Sequence, residues 1–247
     1  MNDFVMPLPL PLDVVSLAMG VVNIESVSRG EGPLADSVEQ ALRTQSHLTV
    51  ERFGHTVVAR TDLGHAERAV VVGHLDTVAE DDNLLAYVEM GKLFGLGACD
   101  MKGGLAVMLK SAALRAYGRD VTLVFYDGEE VDGEHDGLDA LARARPDLLQ
   151  ADLAVVMEPT DGRVEVAEGG ADGAADGGAA VAAFAELVGT EPVPAQGRTT
   201  AGRFTELGVP ALTFGPGDPR LAHTRDEFVP TAQLTECEHV LREWLRA

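Results

Sequence analysis

Five side chains suited to binding divalent metal ions stand at the ends of apolar runs. They are His74 in Val-Val-Gly-His-Leu-Asp, Asp100 in Cys-Asp-Met-Lys-Gly-Gly and Glu130 in Tyr-Asp-Gly-Glu-Glu, with Glu158 in Val-Met-Glu-Pro-Thr and His223 in Leu-Ala-His-Thr-Arg-Asp-Glu. Catalytic zinc takes imidazole and carboxylate ligands and keeps a position open for water. Two zinc ions side by side need one bridging carboxylate, plus a histidine and a terminal carboxylate each. Asp100 as bridge, His74 with Glu158, and Glu130 with His223 satisfy that count. Asp76, two residues beyond His74, is placed to accept the second imidazole N–H and fix the tautomer. Glu129 cannot share a metal with Glu130 if strand alternation holds. At a strand end it can face the attacking water as general base.

The segments around these residues alternate in period. Residues 13–21, 34–44 and 103–117 read as helices, the last apolar and alanine-rich. Residues 48–53, 56–61, 69–73, 121–126, 153–157, 163–166 and 211–214 read as strands, and several are continuous apolar runs, as buried strands are. Residues 84–94 read as a hairpin turning near Gly91. Further helices are expected at 137–145, 181–188, about 202–207 and from Thr231 to the C-terminus. This alternation predicts one three-layer α/β domain over residues 1–247, its mixed, mostly parallel sheet of about eight strands covered by helices on both faces. Residues 168–180 hold almost only Gly, Ala, Asp and Glu and read as a short linker.

A hydrophobic share of 46% over 247 residues is enough for one large core. The formal net charge of −21 argues against nucleic acid and against an anionic membrane surface. The apolar opening, Met1 to Leu12, lacks a basic region and is broken by prolines, so a signal peptide is not expected. With two unpaired-looking cysteines, Cys99 and Cys237, the chain is expected to be cytoplasmic.

The motifs resemble the dizinc aminoacylase and carboxypeptidase G2 family, and within it the succinyl-diaminopimelate desuccinylases most closely. Gly-His-Leu-Asp-Thr-Val at 73–78, Gly-Leu-Gly-Ala-Cys-Asp-Met-Lys-Gly-Gly at 95–104 and Leu-Val-Phe-Tyr-Asp-Gly-Glu-Glu at 123–130 carry the resemblance. Glu-Pro-Thr at 158–160 and the segment 215–227 continue it. The resemblance implies hydrolysis of an amide in an acylated amino acid or short peptide by a water held between two Zn2+ ions, for which Co2+ or Mn2+ can substitute. It implies that Glu129 carries the water's proton to the leaving amine, and that a cis peptide follows Asp100. Two divalent ions, three ligand carboxylates and a hydroxide sum to about zero, so an acidic protein can still accept an anionic substrate there.

Two departures stand out. The family's lid, which also dimerises and supplies an oxyanion-stabilising histidine, has its place at 168–178, where only the Gly/Ala/Asp stretch occurs. A monomer with reduced desuccinylase activity is therefore expected, since an oxyanion donor is worth about 100–1,000-fold in turnover. In Gly197–Phe204, Thr199 and Arg203 match a substrate-contacting pattern, while Ala201 replaces its aspartate. A lidless chain is also compatible with a single-domain aminopeptidase, or with a catalytically silent metal-binding scaffold. Of these the silent scaffold fits least, because it has no use for a free Glu129. His47, His55, His65, His135 and His239 read as surface residues, Cys99 as packing, and Lys102 as reaching solvent or a nearby carboxylate.

Overall fold

The computed structural model describes residues 5–131, 136–166, 177–195 and 199–247. Helices α1 (Val14–Val22) and α2 (Gly32–Arg43) precede strands β1 (Thr49–Phe53), β2 (Thr56–Arg60) and β3 (Arg68–His74). A small hairpin, β4 (Tyr87–Glu89) and β5 (Lys92–Phe94), leads to α3 (Gly103–Ala112) and β6 (Asp120–Tyr126). Then come α4 (Gly137–Ala144), β7 (Leu153–Val156), β8 (Glu165–Val166) and α5 (Gly177–Val188). Strand β9 (Val193–Pro194), α6 (Thr200–Glu206), β10 (Ala211–Thr213), β11 (Phe228–Pro230) and α7 (Thr231–Arg246) complete the order.

Eight strands form one sheet in the order β1-β2-β6-β3-β7-β10-β8-β9. Strands β6, β3, β7 and β10 are neighbours and mutually parallel, so their C-terminal ends share one edge. The alternation of side chains decides the layers. Ala69 and Val71 of β3 join the core that α1, α2, α3, α5 and α7 build on one face. Val70 and Val72 join Leu138, Leu141 and Phe204 from α4 and α6 on the other. The expected three-layer α/β domain is thus present. The expected 84–94 hairpin is present as β4 and β5, and β11 adds to it a third strand that the sequence reading lacked, because β11 is only three residues long.

Two element boundaries also moved. Helix α3 ends at Ala112, not near Tyr117, and α5 begins at Gly177, so the last residues of the expected 168–180 linker are helical. Residues 168–176 of that linker, and His135, lie outside the described residues. Lys102 is a correction: it is 2% exposed and donates to the Ile24 carbonyl at 2.7 Å instead of reaching solvent. Its buried stem leaves the ammonium no water, so main-chain oxygens satisfy it.

At the sheet edge remote from these strand ends, Asp120 fixes the 61–65 turn. Its buried carboxylate accepts the Thr61 hydroxyl at 2.7 Å and the N–H groups of Leu63, Gly64 and His65 at 2.8, 3.1 and 3.0 Å. Burial alone would raise its pKa, but the Leu63 N–H, the Thr61 hydroxyl and the His65 N–H hold it below its ordinary value. Asp120→Asn is expected to cost about 1–3 kcal/mol at neutral pH. A depressed pKa stabilises the fold only while the group is ionised. The contribution is whole above the unfolded value of about 3.9 and disappears as pH falls through the lower folded value. Urea melts of both proteins across that acid range should show the gap closing; a constant gap would exclude the ionised carboxylate as its source.

Candidate metal centre

Four adjacent parallel strands deliver most of the candidate side chains. His74 is the last residue of β3, Glu129 and Glu130 lie in the turn after β6, and Glu158 follows β7 by two residues. His223 comes from the long loop after β10, and Asp100 from the turn before α3. The start of α3 fits under this edge only because of Gly104, whose added Cβ would meet the Met157 carbonyl oxygen. The Asp100–Met101 peptide is cis.

The two oxygens of Asp100 face two different groups. Oδ1 stands 3.1 Å from His74 Nε2, which is 3.7 Å from Glu158 Oε1. Oδ2 stands 3.5 Å from His223 Nε2, which is 2.8 Å from Glu130 Oε1. His74, Asp100 and Glu158 have donor atoms within 4.8 Å of one another, as do Asp100, Glu130 and His223. A third such group joins His74 with Glu129 and Glu130. The surrounding cleft, about 320 Å³, is lined by Asp100, Glu129, Glu130, Glu158 and Glu165, and no lysine or arginine lines it among the described residues.

The electrostatics fit divalent cations. Burial pushes Glu130 up to about 7 and raises Glu129 and Glu158, with neighbouring carboxylates adding to the effect. His223 is raised to about 9, chiefly by its contact with Asp100. Burial would lower His74, yet Glu158, Asp100 and Asp76 carry it well above its usual value. With no lysine or arginine beside them, the crowded carboxylates and their histidines must otherwise hold protons, and two cations would remove that need. The donor set of two imidazoles and three carboxylates matches zinc, and also its harder substitutes.

Asp76 holds this floor together in a way the sequence reading only partly anticipated. His74 Nδ1 is 3.0 Å from the Asp76 main-chain carbonyl, closer than the 3.5 Å to its carboxylate. The carboxylate itself accepts the N–H groups of Glu129 (3.0 Å) and Glu130 (2.9 Å) and the hydroxyl of Ser28 (2.8 Å). Burial alone would raise Asp76, but contact with His74 and these N–H groups lower it to about 2. Because β6 ends at Tyr126, the two glutamates sit in a turn where strand alternation no longer operates. Both therefore line the same cleft.

Thr199 lines the cleft and caps α6 by accepting the Gly202 N–H. Arg203 does not line it. Its guanidinium is engaged by Asp136 at 2.8 Å and by Asp139, which ties α6 to the start of α4. Arg203 is thus held in an internal ion pair with two acidic partners and stands outside the cleft lining, where a substrate contact was expected. Ser28 and Glu227 were missed. Glu227, 2% exposed, accepts the N–H of Asp100, and the only sequence sign was its place at the end of the His223 motif.

The model of peptidase family M20/M25/M40 matches residues 70–247, which contain every one of these side chains except Ser28. The chain belongs to peptidase family M20/M25/M40. It is a metal-dependent hydrolase of amide bonds, of the peptidase and deacylase kind. The succinyl-diaminopimelate desuccinylase of Corynebacterium glutamicum is 29% identical over 367 aligned positions, with 99% of this chain and all of that protein covered. A candidate desuccinylase of Mycobacterium tuberculosis is 31% identical over 346 positions, covering 94% of this chain and 98% of that protein. Since this M20 chain has 247 residues, about a hundred positions of each relative have no counterpart here. Among solved structures, a Staphylococcus aureus tripeptidase superimposes with a TM-score of 0.77 at 14% identity, covering 94% of this chain and 97% of that one. An aminopeptidase of Desulfurococcus kamchatkensis does so with 0.72 at 13%, covering 94% of each. At such identities these two show the fold alone.

Proposed function

We propose that this M20 chain is a dizinc amide hydrolase of the desuccinylase type, reduced to its catalytic floor. The observation that carries the reading is the divided environment of Asp100, one oxygen toward His74 and Glu158 and the other toward His223 and Glu130. In this reading those five residues hold the two ions, and residues 1–247 form one catalytic domain. The stretch 168–180 stands where relatives insert a lid. The hundred-odd unmatched positions in the two desuccinylase relatives support that view.

Bound ions would supply Lewis-acid polarisation of the scissile carbonyl and ease ionisation of water. The rest falls to the chain. The Glu129 carboxylate, partly desolvated, takes a proton from the attacking water and returns it to the leaving amine nitrogen. Asp76 orients His74 from one side and, through two N–H groups, fixes where both glutamates point. Thr199 at the cleft wall offers a substrate contact. Arg203 keeps only an indirect role, holding α6 in place.

The substrate is an acylated amino acid or short peptide, hydrolysed in the cytoplasm by a monomeric chain. Free cysteines and the lack, among the described residues, of any helix long and apolar enough to cross a membrane are compatible with this. Zinc-loaded protein should be assayed on N-succinyl-diaminopimelate and on aminoacyl anilides. Desuccinylation, at a rate below that of lidded relatives, is the expected result. Cleavage of the anilides alone would replace the reading with an aminopeptidase. Tight binding of two ions with neither cleavage would leave a silent scaffold.

A further inference from the structure

Glu227 is a buried acid that takes no direct part in the chemistry above. Glu227 lies four residues beyond His223, and its carboxylate is enclosed by the turn that presents Asp100. One oxygen accepts the Gly97 N–H at 2.9 Å; the other accepts the N–H groups of Cys99 and Asp100, each at 2.9 Å. No lysine, arginine or histidine pairs with it among the described residues. The Glu227 carbonyl also accepts the Gly95 N–H at 3.2 Å. Burying a carboxylate is costly unless it is fully hydrogen-bonded, and three converging peptide N–H groups form an anion-binding concavity that meets the need. Gly97, at a φ of 77°, gives the turn the left-handed residue such a concavity uses.

This arrangement has a directional consequence. His74 and Glu158 are seated at or just past the ends of central strands, whereas His223 stands on a loop with its side chain half exposed. Its ring contacts Glu130 and Asp100. The Glu227 carboxylate clasps that loop onto the Asp100 turn through three N–H groups, beside a single weaker tie from the Cys99 thiol to the Asp218 carbonyl at 3.2 Å. We infer that Glu227 is a positioning residue that locks the His223 loop to the Asp100 turn, and so sets the affinity of the Glu130–His223 half of the metal centre in preference to the His74–Glu158 half. The inference rests on the dizinc reading but makes a separate claim, that the two halves depend unequally on one internal carboxylate.

The test uses the whole chain, stripped of metal and titrated with Zn2+ by calorimetry and with Co2+ by visible absorption. Glu227→Gln keeps the size of the side chain but turns an N–H2 group toward the Gly97 N–H. Binding at the Glu130–His223 half, identified as the event that His223→Ala removes, should lose about 10–100-fold in affinity, the range seen when partners of metal ligands are removed. Binding at the His74–Glu158 half should change by less than about threefold on the same scale. Equal loss at both halves, or no loss at either, would overturn the inference. Hydrogen exchange on the unmutated, metal-free chain decides the case even if the variant does not fold. The Gly97, Cys99 and Asp100 amides should be protected as strongly as central strand amides, and free exchange there would also overturn it. Failure of the unmutated chain to bind any ion would instead sink the dizinc reading, with the exchange data still judging the clasp.

Discussion

Glu129→Gln should lower turnover by about 100–10,000-fold while two divalent ions remain bound. The carboxylate of Glu129 shares the cleft with His74 and Glu130, its donor atom within 4.8 Å of theirs. Its main chain is fixed by the Asp76 carboxylate, so the substitution removes a base without moving the turn. Glutamine is nearly the same shape and cannot accept a proton at neutral pH. The five residues paired around Asp100 do not include Glu129, so the metal count should stand. Steady-state assays with metal analysis after desalting separate the two effects. Loss of an ion together with activity would show that Glu129 is a ligand and not the base.

Asp100→Ala should have the opposite signature, loss of turnover because the ions themselves are lost. Each oxygen of Asp100 serves a different half of the centre, so one substitution removes a ligand from both. In the dizinc reading it would also remove the negative charge between two dications, whose repulsion at short range is large even in a screened site. At most one ion per chain should survive desalting, and neither added zinc nor added cobalt should restore activity. His223→Ala is the control, since it touches one half and should spare the ion near His74 and Glu158. Retention of two ions by Asp100→Ala would refute the bridging assignment.

Much of this centre was legible in the sequence because its parts are local. Apart from His223, each candidate ligand follows an apolar run whose period marks a buried strand or the turn into a helix. His74 after Arg68–Gly73 and Glu158 after Leu153–Met157 could therefore be placed at strand ends before any contact was known. The α/β class followed from the same alternation. Features that depend on two distant segments were less legible. Arg203 matched a pattern, yet Asp136 and Asp139 claim it, and nothing in its neighbourhood of sequence announces them. Lys102 looked like a surface residue because a short run cannot report that α1 and its loop close over it. The third strand of the small sheet went unseen because β11 is too short to show a period.

By itself, then, the sequence determined the chemical make-up of the candidate site: two imidazoles and a set of carboxylates, most of them delivered at the ends of hydrophobic segments. These are properties of residue type and spacing, which the chain carries whether folded or not. Only the tertiary structure decided how they are aimed. It turned Glu129 and Glu130 toward one cleft, because both N–H groups, in the turn after β6, reach the Asp76 carboxylate across 53 and 54 residues of chain. It split the two oxygens of Asp100 between two halves, and it brought Glu227 under the Asp100 turn across more than 120 residues of chain. Hydrogen-bond direction and buried charge are settled by what packs opposite a group, and for this M20 chain those partners come from far along the sequence.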